Sequence, residues 1–319
     1  MWRKLIAILI SVLLAAGILV AMVVRVWDDL AEALAYVQPL YLIPASLICL
    51  LAWGVRGGRY QAILSQMQVQ ITLFFGIACI FISQTVNLIV PARLGDLIRV
   101  VLLKHDYDAS ISRGLSSIVV ERVFDVISVA VIGLCAVLFV LNVPSWVLVL
   151  LILPLALGGV FFLVLILTGK LQANNKYIQF ILTMLDEMRN ASLTPRSTLI
   201  LGVTSLLIWI LDTLICYLVA LMFGQEIPFA VVLLAVVAGN LVKAVPLTPG
   251  GVGTYEFALA VIFELAGTTP AISTLIAVID HLIKNGITLI GGAFSILYLG
   301  DWVIPELAAS IKKRLKDEP

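Results

Sequence analysis

Ionisable side chains fall in four tight groups inside otherwise apolar sequence: Arg93, Asp96 and Arg99; Glu121, Arg122 and Asp125; Lys243 and Glu256; Asp280, His281 and Lys284. A charge at the centre of a membrane helix costs roughly 2.5 to 3.5 kcal/mol on insertion scales, so such residues face partners or a water-filled cavity. Arg93, Asp96 and Arg99 are spaced i, i+3, i+6 and share one side of a helix. Two guanidiniums so placed could hold a phosphate through paired hydrogen bonds; the competing reading is a snorkelling cytoplasmic edge with a local ion pair. Glu121 and Asp125 are one turn apart with Arg122 offset, which suits either a network that neutralises the nearby arginines or a proton-coupled pair. His281, between Asp280 and Lys284 and one turn before Asn285, suits either a proton relay or a satisfied polar residue within a bundle.

The stretch "GNLVKAVPLTPGGVGTYEFALA", from Gly239 to Ala260, breaks a helix inside apolar sequence. Proline removes an N–H and clashes with the preceding turn, while glycine permits a tight reversal. Pro246, Pro249, Gly250, Gly251 and Gly253 therefore lead into a second half-helix. Its first turn would present unpaired N–H groups and a positive dipole end, an anion site that needs no side chain. The bland alternative is that the glycines only make the reversal possible. Asn240 precedes the break, Lys243 closes the first half-helix, and Glu256 would pair with Lys243 or with a coupling cation. Asp212, a lone acid in "SLLIWILDTLICYL", is expected to pair with one of the basic groups above.

No catalytic set is present: there is no phosphate-binding Gly-x-x-x-x-Gly-Lys loop, no metal-ligand histidine pair, and no serine or cysteine nucleophile with a histidine at readable spacing. The expectation is a transporter-like protein without a cofactor or metal and with no nucleic-acid partner. Cys49, Cys79, Cys135 and Cys216 all lie in apolar runs without pairing or zinc spacing, and are expected to be packed thiols.

The elements that must position these residues are membrane helices. The 319 residues are 62% hydrophobic and 12% charged, with a mean hydropathy of +1.15, well above a soluble domain. Leu5 to Val24 is long enough to cross a bilayer core of roughly 30 Å; it ends at Arg25 and Trp27 rather than at a small-residue cleavage site, and reads as a retained helix. Further apolar runs occupy about 41–55, 71–90, 119–140, 146–168, 197–223, 229–242, 255–266 and 273–299. The longest polar interval, about 169–196, is too small to bury a core of its own.

Two places read as helix, break, helix: 71–103, interrupted at "NLIVPARLGD" with Asn87, Pro91 and Gly95, and 229–266, interrupted at "KAVPLTPGGVG". Each could be a hairpin that enters and leaves by one face. With both hairpins counted as zero crossings and the N-terminus (Arg3, Lys4) cytoplasmic, Arg56, Arg59, Lys104, Arg113, Lys170, Lys176, Arg189, Arg196 and the "KKRLK" tail all fall inside. Only Arg25 falls outside, beside Asp28, Asp29 and Glu32, and the loops near Asn142 and Glu226 carry no basic residue. That satisfies the positive-inside rule, and counting one hairpin as a crossing would break it.

The halves also echo each other. A shift of about 159 residues superposes Glu121, Arg122 and Asp125 on Asp280, His281 and Lys284, and brings Pro91 onto Pro249 and Gly250. Three crossings and one hairpin per half turn the second half upside down, a recurrent design of secondary transporters. The expected fold is an all-α integral membrane protein with six transmembrane helices and two re-entrant hairpins. It would form a single membrane domain over 1–319, with inverted-topology halves 1–143 and 144–303 and a basic cytoplasmic tail at 304–319.

Three motifs in order, "NLIVPARLGDLIRVVLL", "LSSIVVERVFDVI" and "GNLVKAVPLTPGGVGTYEFALAVIF", resemble the membrane region of bacterial lysylphosphatidylglycerol synthases and their flippase-like relatives. The resemblance implies movement of an amphiphile with an anionic or modified headgroup between leaflets of the bacterial inner membrane. Asn87, Pro91, Arg93, Gly95, Asp96, Arg99, Glu121, Arg122, Asp125, Pro249, Gly250, Gly253 and Glu256 would line or shape the path. The full synthases append an aminoacyl-transfer domain, whereas this chain ends soon after "IKKRLKDEP", so it is expected to act on lipid made by another enzyme. Aminoacylated phosphatidylglycerol, polyprenyl-linked sugars and hopanoids all stay open. So do two other roles: a membrane-embedded transferase acting on a lipid phosphate, with Glu121, Asp125 or Glu256 as base, and a scaffold for a lipid-synthesis enzyme.

Overall fold

The computed structural model describes residues 2–35, 37–90, 95–139, 145–168, 171, 174–245, 247–300 and 302–305, with the backbone alone for residues 2–5, 7 and 8. Pro91, Arg93, Pro246 and nearly all of the basic tail lie outside the described residues.

The described residues form helices and no strand. In chain order these are α1 (Trp2–Arg25), α2 (Leu30–Ala35), α3 (Leu42–Gln66), α4 (Leu73–Ile89), α5 (Gly95–Tyr107), α6 (Ile111–Val137), α7 (Ser145–Thr168), α8 (Lys176–Ser192), α9 (Pro195–Met222), α10 (Phe229–Ala244), α11 (Thr254–Leu265) and α12 (Pro270–Leu299). Their starts follow local chemistry. Thr72, Ser110, Asn175 and Thr194 each accept a first-turn amide through the side chain and cap α4, α6, α8 and α9, and Pro195 and Pro270 occupy the first turns of α9 and α12.

Four of these elements are long and apolar enough to cross a membrane: Pro39–Gln66, α7, α9 and α12. The bent pair Leu9–Arg25 and Trp27–Ala35, angled by 62°, makes a fifth when counted as one span. Leu157, Leu167 and Leu297 lie open on the outer surface, as expected of helices solvated by lipid. The protein is an all-α, multi-pass membrane protein. α6 has 27 residues, enough to span by length, but carries Arg113, Glu121, Arg122 and Asp125.

α4 and α10 are the two shorter apolar helices, of 17 and 16 residues. At 1.5 Å per residue each reaches about 25 Å, less than a hydrocarbon core of roughly 30 Å. α4 packs against α5 and α10 against α11, so each apolar half-helix is followed by a partner lying along it. Contacts between the two halves come in exchanged pairs: α4 rests on α12, α10 rests on α6, and α3 faces α9. Two glycines 159 positions apart mark the crossings. A side chain at Gly133 of α6 would meet Val237 of α10, and one at Gly292 of α12 would meet Thr85 of α4.

Two expectations are corrected, and the polar interval gains a helix. The apolar run that ends at Val55 belongs to a helix that continues to Gln66, so Arg56 and Arg59 sit inside α3 and not in a cytoplasmic loop. Gly57 makes this possible, because α4 approaches until a β-carbon there would fall on Ile77. The polar interval after α7 contains the amphipathic helix α8, packed on α6, α7 and α3. Cys49, Cys79 and Cys216 are buried as expected, but Cys135 is exposed on the surface of α6.

Candidate functional site

A cavity of about 170 Å³ opens between α3, α4, α6, α9, α10, α11, α12 and the one-turn helix Pro249–Gly251. Of the residues singled out by sequence, Asn87, Glu121, Arg122, Asp125, Asn240, Lys243, Gly250, Gly251, His281 and Lys284 line it. Residues from both helix breaks thus meet in one place. Sequence reading missed Arg56, Trp53, Gln84, Trp209, Tyr255 and Thr288, which complete the wall with Asp212 and Asn285.

In the first half the charges form a closed network. Asn87, near the end of α4, clasps the hairpin: its Oδ1 accepts the Gly95 N–H at 2.8 Å, and its Nδ2 donates to Asp96 Oδ1 at 2.9 Å. Ser83 donates to the same oxygen at 2.9 Å. Asp96, in the first turn of α5 where a carboxylate also suits the helix dipole, takes Arg122 Nη2 on its other oxygen at 2.8 Å. Glu121 accepts from Arg99 Nη1 at 2.5 Å and lies 3.5 Å from Arg59 Nη2. Arg59 donates to both oxygens of Asp125 and, at 2.7 Å, to Ser205 of α9. Asp212 finds its partner in Arg56 Nη2 at 2.7 Å, a residue sequence reading had placed outside the site.

The second half is built around His281. Its Nδ1 lies 2.7 Å from Glu256 Oε1 and its Nε2 lies 3.2 Å from Lys243 Nζ. An ammonium only donates and a carboxylate only accepts, so these partners select the neutral ring with its proton on Nδ1. Glu256 Oε2 accepts the Gly253 N–H at 2.7 Å. Lys284 Nζ lies 2.8 Å from the Asp280 carboxylate, which also accepts from Tyr255 Oη at 2.7 Å. The halves correspond here as well: a first-turn acid on the second hairpin helix meets the middle residue of the following charged triplet, Asp96 with Arg122 and Glu256 with His281.

Three site readings change. Arg99 has no exposed surface, packs over the Tyr60 ring and lies behind the cavity wall, so it holds Glu121 and Asp96 rather than presenting a headgroup grip. The amide of Gly253 is taken by Glu256, and its Cα faces Ala15 and Ile18 of α1, so the start of α11 carries its own carboxylate rather than an open anion site. Glu256 pairs with His281 rather than with Lys243 directly. Asp96, Glu256 and Asp280 likewise stand behind the wall as partners of lining residues. Gly95 and Pro249 shape the breaks: both are buried, and Gly250, beside Pro249, has φ near +61°.

Among the described residues six basic groups (Arg56, Arg59, Arg99, Arg122, Lys243, Lys284) meet six carboxylates (Asp96, Glu121, Asp125, Asp212, Glu256, Asp280). The set is formally neutral, but it is layered. Arg122, Arg56 and Lys284 keep 29%, 18% and 16% of their side chains exposed, against 9% or less for Asp96, Glu121 and Asp280. Four of the six cations (Arg56, Arg122, Lys243, Lys284) line the cavity, and three of the six acids (Asp96, Glu256, Asp280) stand behind it. Such a face can receive an anion without an uncompensated charge being buried in its absence.

Residues 5–292 match the family described as the lysylphosphatidylglycerol synthase TM region. Similar proteins include Glycosyltransferase AglD of Haloferax volcanii, 30% identical over 85% of this chain and 51% of that protein, so the chain spans about half its length. UPF0104 membrane protein MJ1078 of Methanocaldococcus jannaschii is 29% identical over 73% of this chain and 98% of its own. A UPF0104 membrane protein of Methanothermobacter thermautotrophicus is 23% identical over 97% of this chain and 98% of its own.

Proposed function

The chain belongs to the family of the lysylphosphatidylglycerol synthase membrane region, and from that premise we propose that it is a translocase for a lipid with an anionic headgroup. The observation that carries this reading is the layered cavity, in which Arg122, Arg56, Lys243 and Lys284 come forward from both halves inside an apolar bundle. A headgroup crossing a bilayer must shed water, and a polar cavity replaces that water with fixed partners. The guanidinium of Arg122 suits a phosphate oxygen, Asn87, Asn240 and Gln84 suit glycerol or sugar hydroxyls, and the acyl chains stay in the surrounding lipid. Trp209 Nε1, buried at the wall without an acceptor among the described residues, is one further donor.

In this reading six helices cross: α1, α3, α6, α7, α9 and α12. The pairs α4–α5 and α10–α11 are re-entrant, and the halves 1–143 and 144–303 are inverted copies of one membrane domain. The exchanged contacts and the glycines 159 apart support that arrangement. Both termini are cytoplasmic, and the membrane is the plasma membrane of a prokaryote, the named relatives being archaeal.

The test is reconstitution of the purified chain in vesicles carrying fluorescent phosphatidylglycerol, with leaflet exchange read by dithionite quenching. Exchange well above protein-free vesicles, lost in Arg122→Gln and Lys284→Met while both variants stay folded, supports the reading. Exchange no faster than in empty vesicles refutes it. A second reading is favoured by the name of one relative, a glycosyltransferase: the membrane region would present a lipid phosphate to a transferase carried on the same or another chain. Product formed by the purified protein from a sugar donor and a polyprenyl phosphate would support that role.

A further inference from the structure

Charged groups on the cavity wall already hold partners, while two neutral ones do not. Arg122 is taken by Asp96, Arg56 by Asp212, and Lys284 by Asp280 and Tyr255. Gln84 of α4 and Asn285 of α12 line the same cavity, half-buried, and neither carboxamide has a hydrogen-bond partner among the described residues. We propose that these two carboxamides read hydroxyl groups, and that the headgroup taken by the site is a phosphate ester of a polyol, glycerol or a sugar. This rests on the translocase reading and names the class of headgroup within it.

The α4–α12 crossing fixes where they stand. A β-carbon at Gly291 of α12 would fall on the Phe81 ring and one at Gly292 on Thr85 Oγ1, so the helices touch along Phe81 and Thr85 of α4. Thr85 Oγ1 donates to the Thr288 carbonyl at 3.0 Å. Gln84 is the chain neighbour of Thr85, and Asn285 lies one turn of α12 before Thr288, so both carboxamides belong to one closely packed crossing. Their polar neighbours are engaged: Ser83 donates to Asp96, Thr288 to the Lys284 carbonyl, and Asn87 holds Gly95 and Asp96. Asn240, on α10, spends its Nδ2 on the Val236 carbonyl. Gln84 and Asn285 thus bring unspent hydrogen-bonding capacity to the cavity on a rigid frame.

A carboxamide offers an acceptor oxygen and a donor nitrogen side by side, and a hydroxyl both donates and accepts. Hydroxyls on adjacent carbons therefore answer both atoms of one carboxamide. An ammonium answers only the oxygen, and a trimethylammonium answers neither. Water can serve both side chains while the cavity is open to it. A headgroup that displaces this water without replacing its hydrogen bonds leaves them unsatisfied inside an apolar bundle, which selects against that headgroup. The cations make no such choice, because every phosphodiester shows them the same oxygens. Charge holds the phosphate, and the carboxamides choose what is esterified to it.

The experiment places the full chain in vesicles with fluorescent phosphatidylglycerol or fluorescent phosphatidylpropanol, which has the same charge and carbon chain and lacks both hydroxyls. Phosphatidylglycerol is expected to exchange about tenfold faster. Gln84→Leu and Asn285→Leu should each lower the ratio of the two rates several-fold, a change that general damage to the fold does not produce. A binding measurement stands independent of the variants: in mild detergent, phosphatidylglycerol should raise the thermal midpoint of the wild-type protein more than phosphatidylpropanol does at equal concentration. Phosphatidylglucose on the same acyl chains tells the polyols apart, since exchange faster than that of phosphatidylglycerol assigns the hydroxyls to a sugar and slower exchange assigns them to glycerol, each in support. Equal exchange and equal stabilisation by phosphatidylglycerol and phosphatidylpropanol overturn the hydroxyl reading and leave the translocase standing. Discrimination that survives both substitutions overturns the assignment to Gln84 and Asn285. Exchange of none of these lipids removes both readings.

Discussion

Gly95 offers the sharpest test of how the first hairpin holds the site. A β-carbon added there would sit 2.1 Å from the Ser83 carbonyl oxygen, 2.7 Å from Asn87 Oδ1 and 2.9 Å from the Asn87 amide. Two of those atoms are backbone and cannot rotate away, so Gly95→Ala must force α5 off α4. Overpacking of this kind costs about 1–3 kcal/mol. Separation also stretches the Gly95 N–H bond to Asn87 and leaves two buried groups unsatisfied, at about 1–3 kcal/mol more. Gly54, in the same bundle on α3, has nothing within 4 Å of its missing β-carbon, so Gly54→Ala should stabilise the helix by about 0.5–1 kcal/mol. The two substitutions are chemically identical and should differ in sign, by about 3 kcal/mol or more in all. Thermal unfolding in mild detergent, followed by thiol labelling of the buried Cys79 on α4, measures both. Equal midpoints, or a Gly95→Ala protein as stable as wild type, would refute the close-packed hairpin.

Arg59→Met should cost about 3–5 kcal/mol, because it removes both guanidinium hydrogen bonds to the buried Asp125, whereas Glu264→Gln, which removes the more exposed ion pair with Arg25, should cost at most about 1 kcal/mol; denaturation midpoints of the two variants compare them. Single cysteines at Gln68 and Asp108, the open ends of the first hairpin, should react with a membrane-impermeant reagent from the same side, and cysteines at Glu226 and Thr268 should both react from the opposite side. Reaction of either pair from two sides would make that hairpin a crossing. Asn87→Leu should loosen the first hairpin and slow lipid exchange, since both its contacts to α5 are lost, and recovery of exchange in Asn87→Gln would show instead that the clasp tolerates a longer reach.

What was legible in the sequence is what the local chain decides. Proline and glycine announced the two breaks and the unbroken apolar runs announced the spanning helices, while residues beside both breaks line one cavity. The Gly133 and Gly292 pair lies at the same shift and was available to the same comparison. What stayed hidden depends on partners far along the chain. The apolar run stops at Val55, yet α3 continues to Gln66, and Asp125 and Asp212, 66 and 156 residues away, neutralise its arginines. The start of α11 read as an open anion site because nothing local says that Glu256 turns back onto the Gly253 amide. Arg99 read as a ligand, since a spacing pattern gives a helix face but not the depth at which that face is buried.

The unequal chemistry of the two halves bears on mechanism. If the halves are inverted copies, exchanging their conformations would carry the cavity from one side of the membrane to the other, and identical halves would make the two states equal in energy. Here the first half places Asp96, Glu121 and Asp125 among Arg59, Arg99 and Arg122, six formal charges in mutual contact. Opening that network would expose ions to lipid, a cost that opposes its movement. The second half has His281 where the first has Arg122, and Lys243 meets its ring nitrogen. A hydrogen bond to a neutral ring is weaker than a buried ion pair, so this half rearranges more cheaply. Replacing Glu256 with Gln should therefore lower the thermal midpoint in detergent less than replacing Asp96 with Asn, which loses Arg122 as its ion-pair partner. The reverse pattern would place the moving half on the other side of the cavity.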